Sequence, residues 1–327
     1  MTALSLDKTA GSPSETIVEG LVLKTQSGFS TVLTDDGDRI LVNLAKKVKQ
    51  GGRTSTAAVV IGDRVRVRNS GDEGATGTVE AVLERRNQLC RLAPGRRSMK
   101  DVLAANLDSF VIVESLRRPD FNPLRLDRFL AIGEHADIPS SIVLNKSDLA
   151  PREESEQIAA AYVRAGYPVI FCSAKAGVGV EAVWDHFHGI SVMIGPSGVG
   201  KSTILNHLKP GLRLRTGEVS ESTSKGRHTT VTAELLLLRD GVYVADTPGL
   251  RSVGLTDLDR YEVASLFREL RPLIGACKFP DCLHIDEPGC AVRLAREDGR
   301  FSAARYESYK RVLQHVIDGY IEDWDLG

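Results

Sequence analysis

The sequence predicts a multidomain chain. It combines an N-terminal small β-barrel, a central α/β domain around a phosphate loop, and a C-terminal helical domain that holds a metal. Three observations predict this. Residues 16–89 carry short Val-, Leu- and Thr-rich runs split by Gly- and Asp-rich turns. After Lys100, strand-like and helix-like segments alternate. Late in the chain Cys277, Cys282 and Cys290, three of five cysteines, crowd into one short stretch.

The bulk numbers fit this layout. The 327 residues suffice for two or three domains, and 42% hydrophobic and 26% charged residues with a net charge of -1 make a globular composition. No run of about eighteen apolar residues occurs, so no membrane span is expected. The opening "MTALSLDKTAGSPSET" lacks the basic and apolar regions of a signal peptide, and residues 1–13 read as a flexible tail. The expected compartment is the cytoplasm. There, crowded cysteines favour a metal over disulfides.

The barrel is expected over residues 14–90. "TIVEGLVLK", "FSTVLT", "DRILVNL", "DRVRVR" and "GTVEAVLERR" are its five strands, separated by "TDDGD", "IGD" and "NSGDEG". Five strands of this length point to an OB-fold, with an SH3-like barrel as the alternative. Pattern alone does not separate the two. The next stretch, "ERRNQLCRLAPGRRSMK", sets Arg85, Arg86, Arg91, Arg96, Arg97 and Lys100 against Glu84. It reads as a solvated linker, positioned where a nucleic-acid contact is also feasible.

The α/β domain is expected over residues 91–255. "LDSFVIVESL", "SSIVL", "YPVIFC" and "ISVMI" are buried-type strands, and the intervening segments have helical spacing. This alternation predicts a parallel sheet covered on both faces. "GPSGVGKST" comprises Gly195, Pro196, Ser197, Gly198, Val199, Gly200, Lys201, Ser202 and Thr203, preceded by a strand and succeeded by a helix. Its glycines let backbone N–H groups approach phosphate oxygens, Lys201 offers charge to the outer phosphates, and Ser202 offers a hydroxyl to Mg²⁺.

"NKSD" (Asn145, Lys146, Ser147, Asp148) comes after another strand. Asp148 can accept from guanine's ring N–H and exocyclic amine, a donor pair that adenine lacks. Asn145 is expected at the base edge and Lys146 along the ring. "SAK" (Ser173, Ala174, Lys175) backs the base with a main-chain N–H. "DTPG" ends a later strand, with Asp246 placed to hold Mg²⁺ through water and the Gly249 N–H placed to sense a γ-phosphate. Upstream, "SKGRHTTV" has the makings of a switch. Thr230, or secondarily Thr229, would close on Mg²⁺. Leu250 stands where many GTPases carry a water-orienting glutamine, so His228 is the candidate catalytic group.

These boxes stand in an unusual order. The base reader precedes the phosphate loop by about fifty residues. The set equals the ordinary GTPase order cut after its fifth box and rejoined before its first, so the chain is circularly permuted. Domain termini that lie close together make that tolerable.

Residues 256–327 are expected to be helical around Cys277, Cys282, His284 and Cys290. Three thiolates and an imidazole, spaced C-x₄-C-x-H-x₅-C, suit one closed tetrahedral structural zinc. Asp281 or Asp286 could displace His284.

Together these residues resemble the circularly permuted bacterial ribosome small subunit-dependent GTPase A (RsgA) family. The likeness covers nearly the whole chain: the OB-like start, "NKSD", "SAK", "GPSGVGKST", "GRHTT", "DTPG" and the zinc cluster. It implies a GTPase that acts late in maturation of the small (30S) ribosomal subunit, binds its ribosomal RNA and is stimulated by that subunit. It also implies that His228 takes part in hydrolysis. GTP or GDP with Mg²⁺, no membrane and a monomer are expected. The competing class is an RNA-binding scaffold whose nucleotide is structural. An ATP-dependent enzyme is disfavoured by Asp148.

Overall fold

The computed structural model describes residues 16–26, 28–45, 58–69, 76–93, 96–212 and 232–319. The expected tail and the switch with His228, Thr229 and Thr230 lie outside the described residues, as do the side chains of Arg96 and Arg97.

Five strands build the barrel: β1 (Thr16–Gln26), β2 (Phe29–Thr34), β3 (Arg39–Leu44), β4 (Arg64–Asn69) and β5 (Thr76–Val82). They are ordered β1-β2-β3-β5-β4, and β4 closes back on β1. The β3–β5 pair is parallel and the others are antiparallel. This closed Greek-key order is that of the OB-fold, which resolves the choice that sequence pattern leaves open. Alternation sends Val22, Val32, Val42, Val65, Val67 and Val79 inward, all fully buried. Branched valines fill so narrow an interior without polar atoms.

The basic stretch is not a linker. It forms a hairpin of β6 (Gln88–Ala93) and β7 (Arg96–Ala105), so residue 91, the expected domain boundary, falls inside a strand. Its cations are largely committed. Arg85 grips the fully buried Asp63 at 2.7 and 2.9 Å, Arg86 reaches Asp108 at 2.7 Å, Arg91 pairs with Asp101, and Lys100 pairs with Asp257.

The central sheet comprises β8 (Ser109–Ser115), β9 (Ser140–Asn145), β10 (Val169–Phe171), β11 (Ile190–Ile194), β12 (Ala233–Arg239) and β13 (Val242–Asp246). Its order is β10-β9-β8-β11-β13-β12, parallel throughout except for β12–β13. Helices α1 (Pro123–His135), α2 (Arg152–Arg164) and α3 (Lys201–Leu208) connect the strands. Every residue of β8, β9 and β11 is buried, as a sheet covered on both faces requires. Helix α1 starts at Asn122, whose side chain accepts from the Arg125 N–H at 3.1 Å, with proline in its first turn.

Barrel and sheet are continuous. β1 pairs with β12 through Lys24↔Glu234 and Thr25↔Ala233, after a bulge between Val22 and Lys24. The bulge turns the strand out of the barrel so that its far end joins the second ladder.

Beyond residue 255 the helical expectation is met in pieces. Short 3₁₀ turns at Val263–Leu266 and Arg268–Leu273, the latter containing Pro272, precede α4 (Ala291–Glu297) and α5 (Ala303–Asp318). Helix α5 packs on α1 around Arg305. This guanidinium, 2% exposed, bonds Asp127 of α1 at 2.6 Å and both carboxylate oxygens of Glu269 at 2.7 and 2.9 Å. The Phe267 and Tyr162 rings lie 4.8 and 5.4 Å away. A buried charge with several partners is stable only while all are present. Arg305→Ala strands two carboxylates and should cost about 3–5 kcal/mol of folding free energy. Urea unfolding will check it: an unchanged midpoint would mean that water reaches both acids.

Candidate nucleotide and metal sites

Parallel strands bring their carboxyl ends to one edge. The ends of β9, β10, β11 and β13 carry "NKSD", "SAK", the phosphate loop and "DTPG" respectively, so all four boxes meet there despite their chain order. Two glycines are required by close approach. A Cβ on Gly195 would stand 2.1 Å from the Val113 carbonyl, and one on Gly200 would stand 2.2 Å from the Asn145 amide nitrogen.

Asn145 sits between the boxes. Its side chain is buried; Nδ2 donates to the Val199 carbonyl at 2.7 Å, and Oδ1 accepts from the Ala174 N–H at 3.0 Å. One amide thus joins three boxes. Each end makes a bond to protein, as a buried amide requires.

Lys146 adopts the left-handed conformation, φ 59°. Its ammonium donates to the Gly198 carbonyl at 2.7 Å and to the Arg118 carbonyl. Burial, and then the Arg118 charge, lower its pKa below that of an ordinary lysine. Its neighbour Ser147 donates its N–H to the Cys172 carbonyl at 3.1 Å, which anchors the turn that presents the exposed Asp148. Ser173 is buried and its hydroxyl accepts from the Ala176 N–H, whereas Lys175 is exposed.

In the phosphate loop, Pro196 is half-buried, Ser197 and Gly198 are exposed, and Val199 is buried. Lys201 donates to the Gly195 and Pro196 carbonyls, each at 2.8 Å. Ser202 and Thr203 sit half-buried in the first turn of α3. Beneath the loop lies a pair that the sequence did not disclose. Glu114, fully buried, takes two bonds from Arg125 at 2.8 and 2.7 Å. Burial raises its carboxyl above the ordinary value, with Arg125 and Lys201 opposing.

Asp246 ends β13 directly opposite Glu234 of β12. Loss of surrounding water, and then the Glu234 charge, raise its pKa. Gly249 lies in a 3₁₀ turn, Pro248–Ser252, and is packed on the hairpin: a Cβ there would meet Leu103 at 2.6 Å. Leu250 is buried in the core, which fits an apolar residue and gives no water-orienting group.

In the C-terminal unit, one ligand atom each from Cys277, Cys282, His284 and Cys290 lies within 4.8 Å of the others. The His284 Nδ1 faces the Cys277 and Cys290 sulfurs at 3.4 and 3.6 Å. Asp281 and Asp286 are not among the gathered ligands. Residues not anticipated from sequence hold the loop in shape. Tyr306 donates to the His284 carbonyl and Tyr309 to the Leu283 carbonyl, both at 2.7 Å. Glu287 accepts from the Leu283 and Ile285 N–H groups at 2.7 and 2.8 Å. Burial, and then the neighbouring thiols, push Cys282 up to about 12, so a cation is what would draw thiolates from this set. Four convergent soft donors braced by such contacts make a metal site.

Residues 82–256 match the family model described as RsgA GTPase. The chain belongs to the RsgA GTPase family. A model of 50S ribosome-binding GTPases also matches, over residues 191–323. The small ribosomal subunit biogenesis GTPase RsgA of Gemmatimonas aurantiaca is 43% identical over 303 residues, 92% of this chain and 98% of that protein. RsgA 2 of Bacteroides thetaiotaomicron is 36% identical with the same coverage. The crystal structure of YjeQ from Thermotoga maritima aligns with a TM-score of 0.75 at 32% identity, over 92% of this chain and 99% of that one. That of YloQ, described as a circularly permuted GTPase, aligns at 0.70 and 30%, over 94% and 98%. Membership of the RsgA family makes the chain a GTPase, and its sheet order is that of the permuted fold.

Two substitutions probe the sites. Asp148→Asn should weaken GTP binding by about 1.5–3 kcal/mol, because an amide cannot accept both guanine bonds. Competition between GTP and xanthosine triphosphate checks it, and unchanged affinities would remove Asp148 from base recognition. Cys282→Ser should lose stoichiometric metal and loosen the C-terminal unit, since a structural metal supplies on the order of 10 kcal/mol of folding free energy. Elemental analysis showing full occupancy would count against it.

Proposed function

We propose that this chain is a GTP hydrolase that the small ribosomal subunit stimulates, acting late in maturation of that subunit through contacts with its ribosomal RNA. The observation that carries the reading is the convergence of four permuted boxes on one edge of a sheet that runs unbroken into an OB barrel. A nucleotide switch and an oligonucleotide-binding fold are thereby one body. The names of the relatives, biogenesis factors aligned over most of this chain, point the same way.

In this reading Asp148 selects guanine, Lys146 lies along the base, and Asn145 meets the base edge while bracing the loop beneath it. The N–H groups of residues 195–203 and the Lys201 ammonium hold the phosphates. Ser202 in the first turn of α3 and Asp246 at the end of β13 are hard oxygen donors, a set that suits Mg²⁺, with Thr230 closing the site. When bound, Mg²⁺ neutralises the phosphate charge. Gly249 senses the γ-phosphate. Three sulfurs and one nitrogen favour Zn²⁺ at the C-terminal site, with a structural role because the set is complete without water. RNA contact falls to the barrel and the basic stretch of residues 84–100. A ribosomal partner sets the working compartment as the cytoplasm.

Leu250, buried and apolar, favours a second reading, in which the bound nucleotide is structural on an RNA-binding scaffold. Turnover measured with and without small subunits separates the two, since a scaffold would show no stimulation.

Because Leu250 cannot orient water, hydrolysis needs another group, and His228 beside the switch threonines is the one proposed. His228→Ala should bind GTP normally and lose a factor of about 10²–10⁴ in stimulated turnover. A variant that keeps wild-type stimulated turnover while binding subunits would leave His228 without a chemical role.

A further inference from the structure

Three strands meet where the barrel joins the sheet, and their registers align three charged residues. Lys24 of β1 stands opposite Glu234 of β12, and Glu234 stands opposite Asp246 of β13. Directly opposed residues share a sheet face and come within about 5 Å at Cβ. The side chains therefore form a row across the seam, in the order cation, anion, anion. The Lys24 ammonium reaches a Glu234 carboxylate oxygen at 2.8 Å, with side-chain exposures of 35% and 42%. Grooves of about 310 and 330 Å³ flank Lys24 on its two sides, so the pair is open to solvent. Opposed carboxylates repel, and here Lys24 offsets part of that cost.

We propose that Lys24 and Glu234 are a positioning pair that sets how tightly the site at Asp246 holds Mg²⁺, so that the barrel bears on the nucleotide site through charge. This rests on the reading of Asp246 as the carboxylate on the Mg²⁺ side. Neither residue of the pair touches nucleotide. The Glu234 carboxylate adds negative potential beside Asp246 and favours a divalent cation, while the Lys24 ammonium cancels part of that potential. The two substitutions therefore have opposite signs, which no general loosening of the seam would produce.

The test is a Mg²⁺ titration of the full chain, reading the concentration that half-retains a fluorescent GDP analogue. Lys24→Met should lower that concentration by about two- to fivefold, the range of a half-exposed ion pair. Glu234→Gln should raise it by a similar factor. The double variant should return close to wild type, and Lys24→Arg should match wild type. Singles that shift in the same direction, or a Lys24→Met protein with an unchanged requirement, would overturn the proposal. Asp246→Asn distinguishes the two levels of failure. If it raises the Mg²⁺ requirement while Lys24→Met does nothing, the pair is wrong and the site assignment stands. If Asp246→Asn also does nothing, both fall.

Discussion

The Asn145 amide is the bracket on which the nucleotide site depends. It is 2% exposed, and its two polar ends are committed in opposite directions, to the Val199 carbonyl and the Ala174 N–H. Those bonds fix the ends of β9, β10 and β11 relative to one another. Gly200 must lack a side chain to make room for the bracket. Such a constraint is spatial and has no memory of chain order, which is why a permuted sequence can rebuild the same site. Cutting and rejoining the backbone elsewhere leaves these contacts intact.

Distance along the chain decides which features are legible in the sequence. The phosphate loop, "NKSD", "DTPG" and the cysteine cluster carry their chemistry within a few residues of spacing, and each falls where that spacing puts it. The barrel type is not legible, because a parallel β3–β5 pair is a long-range fact that five local strand patterns do not contain. The basic stretch reads as a linker because its partners Asp63, Asp108 and Asp257 are not its sequence neighbours, so their neutralising effect is invisible locally. That Asn145 also ties the boxes together is not legible for the same reason: Val199 lies far downstream. Arg305, one arginine among several on an amphipathic helix, gives no sign that Asp127 of a distant helix buries it.

Permutation alters the course of the chain beyond Gly249. Instead of returning to the sheet, the backbone crosses α1. Arg128 donates to the Val253 carbonyl at 2.9 Å, and the His135 ring meets the Thr256 carbonyl at 2.8 Å. On its other side the turn is held by the hairpin, where Arg91 reaches the Ser252 hydroxyl and the Gly254 N–H bonds the Cys90 carbonyl. The same helix α1 supplies Asp127 to the Arg305 cluster. The chain after Gly249 is therefore bonded both to the hairpin and to helix α1, which in turn carries the C-terminal unit.

Strand β1 belongs to three ladders at once, two inside the barrel against β2 and β4 and one against β12. That shared membership leaves the molecule no clean place to be divided. Severing the barrel would uncover the start of β12, where Ala233 and Glu234 pair with β1 ahead of four consecutive leucines. Such an edge templates pairing between chains and aggregates. The barrel thus caps the first residues of the outermost strand of the GTPase sheet, and its loss would lengthen an exposed edge and favour association of the remainder.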